Sequence, residues 1–371
     1  MRVTIPSIAI LLHDFNAGGT EATAFRLAEE WVARGCRVTF VVGADAGAMR
    51  NRLPSGAVLR LLDPPIRRGM MSRWRLARAM VPILRQVRPD IVYITGNFHL
   101  WLAPAIDRAL PHLRIVAKIS NPLLPPLPRV LRPLGARMLQ RLTDRVDLLV
   151  AMAPELARRD RAMLPGRPIH VAPEPNLPRG HHPLPRQRDN GPPQVIAIGR
   201  LEPQKDMALA VRAFARLRAR RPARLTILGD GPERAKLAAL ARRLGVADDV
   251  DLPGFVDDVP RRLAGAACLL MTSRFEGFPA VPVEALAADV PVVSTDSTPV
   301  LRGLIASPSH GEVVCSRDPA AIAAALERAI ALPFRSDGAR AASAAPYAAP
   351  QAAERYLELF AMTGDEKPCV A

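Results

Sequence analysis

The chain has 371 residues, 49% hydrophobic and 23% charged, enough apolar material for two domains and too much for a disordered chain. No run of about 18 uncharged apolar residues occurs, which excludes a conventional membrane-spanning helix. Lys and Arg number 51 against 35 Asp and Glu, a net charge of +16. The excess is uneven: residues 1–187 hold 28 basic and 13 acidic side chains, whereas residues 188–371 hold 23 and 22. Aromatic residues make up only 4%, so the stacking platforms of a single-strand nucleic-acid binder are missing and no nucleic-acid partner is expected. A basic first half aimed at anionic lipid or an anionic acceptor fits better. Cys36, Cys268, Cys315 and Cys369 lie far apart with no C-x-x-C pair. They give neither a zinc site nor a disulfide framework, and a reducing cytosol is the expected compartment.

Met1–Leu12 is apolar, lacks a cleavage site and passes straight into a Gly-rich turn, the pattern of a first strand and not of a signal peptide. From there short apolar runs alternate with amphipathic or Ala-rich segments, the signature of β-α-β units and parallel sheets. Strands are predicted at Ile8–Leu12, Val38–Val42, Ile91–Thr95, Ile115–Ile119 and Leu148–Ala151, with a helix over Glu21–Arg34 that stops at Gly35. Ala172–Pro193 holds seven prolines and two glycines in 22 residues, which sustains neither helix nor central strand and reads as a linker. A second series follows, with strands at Val195–Ile198, Leu225–Leu228, Cys268–Met271 and Val290–Ser294. Its helices are predicted at Met207–Arg220, Glu233–Leu244, Val281–Ala288 and Pro319–Ala331.

Three motifs fall where strands turn into helices. Asn16-Ala17-Gly18-Gly19-Thr20-Glu21 follows the first strand. Paired glycines there allow positive φ and close backbone approach, and the next helix offers free N–H groups to an anion. Gly199-Arg200-Leu201-Glu202-Pro203-Gln204-Lys205-Asp206 opens the second series, placing a guanidinium and an ammonium at the strand edge where α/β domains bind ligands. Such a pair can clamp a diphosphate and offset the charge growing on it. Phe275-Glu276-Gly277-Phe278-Pro279 leads into a helix carrying Glu284. Backbone N–H groups there can hold phosphate oxygens, and either carboxylate can accept hydrogen bonds from vicinal diols.

In this order and spacing the chain resembles the retaining glycosyltransferases of the two-domain GT-B fold, family 4 (group 1) type. The N-terminal G-G-x-E is Gly18, Gly19 and Glu21. The G-R-L-x-x-x-K-[DG] element is Gly199, Arg200, Leu201, Lys205 and Asp206, and L-G-x-G-P is Leu228 to Pro232. G-F-V is Gly254-Phe255-Val256, and E-x7-E is Glu276 and Glu284. The resemblance implies an α/β fold of two Rossmann-like domains facing a central cleft. Residues 1–172 would form the acceptor side, 173–193 the linker and 194–345 the nucleotide-sugar domain, with 346–371 a C-terminal helix returning to the first domain. It implies that Arg200, Lys205 and Glu276 are catalytic. Gly18, Gly19, Gly199, Phe255, Gly277, Phe278, Pro279 and Glu284 would bind the donor, Glu284 through the ribose. It also implies a nucleotide-diphosphate sugar as co-substrate, no metal or other cofactor, and a glycan or lipid-linked acceptor at the inner face of the cytoplasmic membrane. Two departures stand out. Many relatives carry a His after the strand at Ile115–Ile119 that contacts the donor sugar; here Ser120 and Asn121 stand there and are the candidates for that sugar contact, Asn121 as a hydrogen-bond donor. The G-x-x-E that often follows the strand at Val290–Ser294 is replaced by Asp296 to Arg302, with no Glu.

Weaker signals remain. His99 follows a strand and reads as structural or surface, and His181-His182 lacks ligand neighbours for a metal. Asp257-Asp258 reads as a loop and helix cap. Gly229-x-Gly231 lacks the third glycine of a dinucleotide fingerprint. Arg67–Arg88 holds seven arginines among Met70, Met71, Trp74, Leu76, Val81 and Ile83. Arg129, Arg132, Arg137, Arg141 and Arg145 interleave with Leu131, Leu134, Met138 and Leu142. The second set can lie on an anionic membrane or pack its apolar side on the sheet.

Overall fold

In the computed structural model, the described residues are 5–16, 18–69, 71–121, 123, 131–182, 184–186, 191–334 and 338–362. Arg129, Met70 and Cys369 lie outside them. Two units separate: residues up to Arg179 together with those from Tyr347 onward, and Gly180–Pro346.

The first unit runs β1 (Ser7–Leu12), α1 (Gly19–Ala33), β2 (Arg37–Val42), β3 (Val58–Leu61), α2 (Ser72–Val87), β4 (Ile91–Ile94), α3 (Ala103–Ala109). It continues with β5 (Arg114–Ile119), α4 (Arg132–Thr143), β6 (Leu148–Ala151), α5 (Pro154–Arg161) and β7 (Ile169–Val171). The seven strands form one parallel sheet in the order β3-β2-β1-β4-β5-β6-β7. Strands β1, β4 and β6 are buried along their whole length, as a parallel sheet covered on both faces requires.

The second unit runs β8 (Gln194–Ile198), α6 (Met207–Arg218), β9 (Arg224–Leu228), α7 (Arg234–Arg243), β10 (Val250–Gly254), α8 (Val259–Gly265) and β11 (Cys268–Met271). It ends with α9 (Ala280–Ala287), β12 (Val292–Thr295), α10 (Val300–Leu304), β13 (Gly311–Val314), α11 (Pro319–Ala331) and α12 (Ala339–Ala344). Its sheet, also parallel, has the order β10-β9-β8-β11-β12-β13. Helices α6 and α11 pack together, and Phe214, Leu217, Ile322 and Leu326 bury against strand residues such as Ile227 and Leu270. This is the two-domain α/β Rossmann-like architecture.

The last helix, α13 (Ala349–Met362), packs on α1. Tyr356 and Phe360 close an aromatic cluster with Trp31 and Tyr93. Within this first unit the Leu177 N–H donates to Tyr347 O at 3.1 Å and the Ala349 N–H to Leu177 O at 2.8 Å, tying the returning segment to the end of the first stretch. The first part of the Pro-rich stretch belongs to the first unit. There the Glu174 carboxylate is buried, accepts from Lys118 Nζ at 2.8 Å and is hydrogen-bonded by Thr23. Proline forbids helix there, but a buried ion pair fixes the extended chain just as firmly. No described helix is long and apolar enough to cross a membrane.

Candidate functional site

In the second unit the motif residues gather at the carboxyl ends of β8, β9, β11 and β12. Gly229 sits at φ 132, and a Cβ there would lie 2.1 Å from Gly199 O; one on Gly231, at φ 155, would lie 2.7 Å from Leu201 O. These glycines let the loops after β8 and β9 touch backbone to backbone, closed by Gly199 N–H to Leu228 O and Leu201 N–H to Asp230 O, both 2.9 Å. The L-G-x-G-P turn thus shapes the loop that carries Arg200 and Lys205.

Lys205 Nζ donates to Glu276 Oε1 at 2.6 Å, and both side chains are mostly buried. This contact joins the second and third motifs. It is reinforced by Arg274 N–H to Gln204 O at 2.8 Å and Gln204 Nε2 to Phe275 O at 3.0 Å. Arg200 is exposed and pairs with Glu202 at 2.7 Å. The Glu276 N–H donates to Ser297 O at 3.0 Å, and Thr298 Oγ1 donates to Gly277 O at 3.1 Å. The loop after β12 therefore holds the Gly277-Phe278-Pro279 turn, which ends at the N-terminus of α9. Glu284 lies on α9, half-buried, and Phe255 is 78% exposed after β10.

Sequence reasoning named Asp206 but missed the residues that hold it and so aim Lys205. Asp206 is left-handed, at φ 46, which explains why Asp and Gly alternate in the motif: both tolerate that region. Its carboxylate takes Arg317 at 2.7 Å and Arg274 at 3.0 Å. Thr272 Oγ1 donates to the carbonyls of Lys205 and Asp206, and Arg317 donates to those of Thr272 and Ser273. Arg317 follows β13, far along the chain, and no local pattern announces it.

In the first unit the structure corrects one expectation. Gly18 is extended at φ −140 and Gly19 begins α1, so neither uses positive φ. Gly18 is needed for space, since a Cβ there would lie 2.4 Å from Glu21 Oε2, while Gly19 faces nothing within 4 Å. Glu21 is buried, which pushes its carboxyl up, and accepts from Arg68 Nη2 at 3.2 Å. Arg68 also forks onto Asp14 at 2.6 and 2.8 Å. Burial raises the Asp14 carboxyl, but the Arg68 hydrogen bonds outweigh it and hold the group below its ordinary value. His13 and His99 are buried beside them. Burial lowers both, His99 to about 3.

Ser120 and Asn121 follow β5 and are tied to the loop after β4: the Ser120 N–H donates to Asn97 Oδ1 at 2.9 Å, and Asn97 Nδ2 to Asn121 O at 2.9 Å. Asp258 precedes α8, but its side chain caps no N–H and pairs instead with Arg262 at 3.3 Å, one turn on. Among the described residues no group of three His, Cys, Asp or Glu is placed to hold a metal ion.

Two family models match: Glycosyltransferase Family 4 over residues 17–175 and Glycosyl transferases group 1 over residues 183–346. The chain is a glycosyltransferase of the group 1, family 4 type. It is 35% identical over 120 residues to the N-acetylgalactosamine-N,N'-diacetylbacillosaminyl-diphospho-undecaprenol 4-alpha-N-acetylgalactosaminyltransferase of Campylobacter jejuni, covering 32% of each chain. It is 38% identical over 105 residues to the lipopolysaccharide core biosynthesis glycosyltransferase LpsE of Rhizobium meliloti, covering 28% of this chain and 30% of that one. These matches thus span about a third of the curated relatives' length. Among solved structures, the lipopolysaccharide outer core galactosyltransferase WaaB in its apo form superposes with a TM-score of 0.74 at 19% identity, covering 96% of this glycosyltransferase and 99% of WaaB. Anabaena Alr3699/HepE in complex with UDP superposes with a TM-score of 0.75 at 18% identity, covering 96% and 100%. At these identities the two structures speak for the fold.

Proposed function

We propose that this glycosyltransferase moves a sugar from a nucleoside-diphosphate sugar to a glycan or lipid-linked acceptor in bacterial surface polysaccharide or lipopolysaccharide synthesis, with retention of anomeric configuration and without a metal. The observation that carries the reading is the Lys205–Glu276 contact at 2.6 Å, beside the N-terminus of α9. An ammonium, the Arg200 guanidinium and a helix N-terminus together suit a departing diphosphate. Glu276 would stand near the transferred sugar and Glu284 would accept from the ribose hydroxyls. Retention follows if the acceptor attacks the face the diphosphate leaves, the positive site stabilising the leaving group.

The acceptor half of the reading is supported by the activities for which the relatives are named and by α4. Its Leu139 and Leu142 pack inward, while Leu134 and Met138, with Leu131 just before the helix, are exposed among Arg137 and Arg141. An outward apolar stripe flanked by arginines suits peripheral contact with an anionic membrane.

The test is a thermal shift across UDP, GDP, ADP and CMP and their sugar conjugates, with Glu284→Ala beside the parent. A ligand at about 100 times its Kd adds about 2.7 kcal/mol. Selective stabilisation lost in Glu284→Ala is the expected result. No shift with any nucleotide would refute the donor site.

A further inference from the structure

We propose that Arg68, Arg73 and Phe98, with Trp74 and Trp101, form a site for the phosphate or diphosphate end of an acceptor whose adjoining chain is apolar. The inference rests on the lipid-linked acceptor reading above and names the part of the acceptor that this unit would hold.

Two guanidiniums share one phenyl ring. Arg73 Cζ lies 5.5 Å from the Phe98 centroid and Arg68 Cζ 6.0 Å, and Arg73 also lies 5.1 Å from the Trp101 centroid. Arg68 is pre-set by its fork onto buried Asp14 and by Glu21. Arg73 has no carboxylate partner among the described residues, and neither does Arg67. Asp14 and Glu21 take the Nε and Nη2 edge of Arg68 and so fix it in place, which leaves Arg73 as the guanidinium whose fork no carboxylate takes and which can match phosphate oxygens. Beside them Trp74, 6.4 Å from Trp101, and Met71 are each 62% exposed, an uncovered apolar wall next to the cations. Beneath, His13 stacks on Phe98 at 5.5 Å and is fully buried.

The polarity of the site favours a phosphate over a bare sugar. A sugar platform needs exposed carboxylates or amides to accept hydroxyl protons, but Asp14 and Glu21 are buried and occupied by Arg68. What is exposed is donor-only guanidinium and aromatic ring.

Calorimetric titration of the full chain with farnesyl diphosphate, inorganic pyrophosphate and farnesol tests this. Farnesyl diphosphate should bind at least tenfold more tightly than either other probe. Arg73→Gln should weaken it at least tenfold and leave UDP binding unchanged, and Trp74→Ala should weaken farnesyl diphosphate but not pyrophosphate. Arg78→Gln, an exposed charge further along α2, should change neither. The proposal is overturned if Arg73→Gln leaves farnesyl diphosphate binding intact, if Arg78→Gln costs as much, or if UDP affinity falls in parallel. It is also overturned if only vesicles containing phosphatidylglycerol bind in an Arg73-dependent way, which would make the site a bilayer headgroup contact. A parent protein that takes farnesyl diphosphate but no UDP would sink the donor reading and leave this one standing.

Discussion

Glu276→Gln separates two roles that the Lys205–Glu276 contact combines. Glu276 accepts from the Lys205 ammonium, the cation proposed above to meet the donor diphosphate, at 2.6 Å, with side chains 21% and 9% exposed. Two unit charges about 4 Å apart interact by about 4 kcal/mol at an effective dielectric of 20, and a hydrogen bond to a charged group keeps about 1.5–3 kcal/mol of net worth. Binding a diphosphate therefore competes with Glu276 for Lys205. Removing the carboxylate charge while keeping an amide oxygen to accept should tighten UDP binding by about three- to tenfold, or about 0.7–1.4 kcal/mol. Lys205→Ala should weaken it by about ten- to a hundredfold, and both should lower transfer. Calorimetric titration of UDP into the parent, each variant and the double variant measures this, with melting temperatures recorded first because an unpaired ammonium costs stability. A loss of UDP affinity in Glu276→Gln equal to that in Lys205→Ala would refute the competition, leaving the pair as a structural tie.

Other expectations follow from the same geometry. Arg340 is fully buried and donates to Ser309 O, Asp289 O and Pro333 O, so Arg340→Ala should cost about 3–5 kcal/mol in denaturant unfolding of the second unit. Tyr356→Ala opens the aromatic cluster around Trp31 and should destabilise the first unit by about 3–5 kcal/mol, read by Trp fluorescence. Because burial depresses His99 to about 3, the unfolded chain binds a proton there below about pH 6.5 that the folded chain refuses. Stability should fall by about 1.4 kcal/mol per pH unit across that window on this account, and His99→Leu should flatten the slope by that amount. Arg317→Ala should weaken UDP binding less than Lys205→Ala but lower the transfer rate, since it holds Asp206, Thr272 and Ser273 and not Lys205 itself.

Legibility in the sequence followed burial. All nine predicted strands are interior strands, and the four unpredicted ones, β3, β7, β10 and β13, are the edges of the two sheets. An interior parallel strand is apolar on both faces, whereas β3 is exposed at Val58, Arg60 and Leu61, and β10 carries Asp251 and Pro253. The motifs of the candidate site were legible because each is a short contiguous run. What holds them was not: Arg317 reaches Asp206 from 111 residues away, and Arg68 reaches Asp14 from 54. The glycines serve other ends than the sequence suggested: Gly18 leaves room for a carboxylate at ordinary φ, whereas Gly229 takes positive φ to let a carbonyl approach.

The return of α13 to the first unit sets an order of synthesis. Residues 180–346 are continuous in sequence and can close their own core as soon as they leave the ribosome. The first unit, although made earlier, must wait with Trp31 and Tyr93 uncovered until Tyr356 and Phe360 arrive. For the time it takes to translate the whole second unit, the nascent first unit presents its aromatic core to whatever else is in the cell.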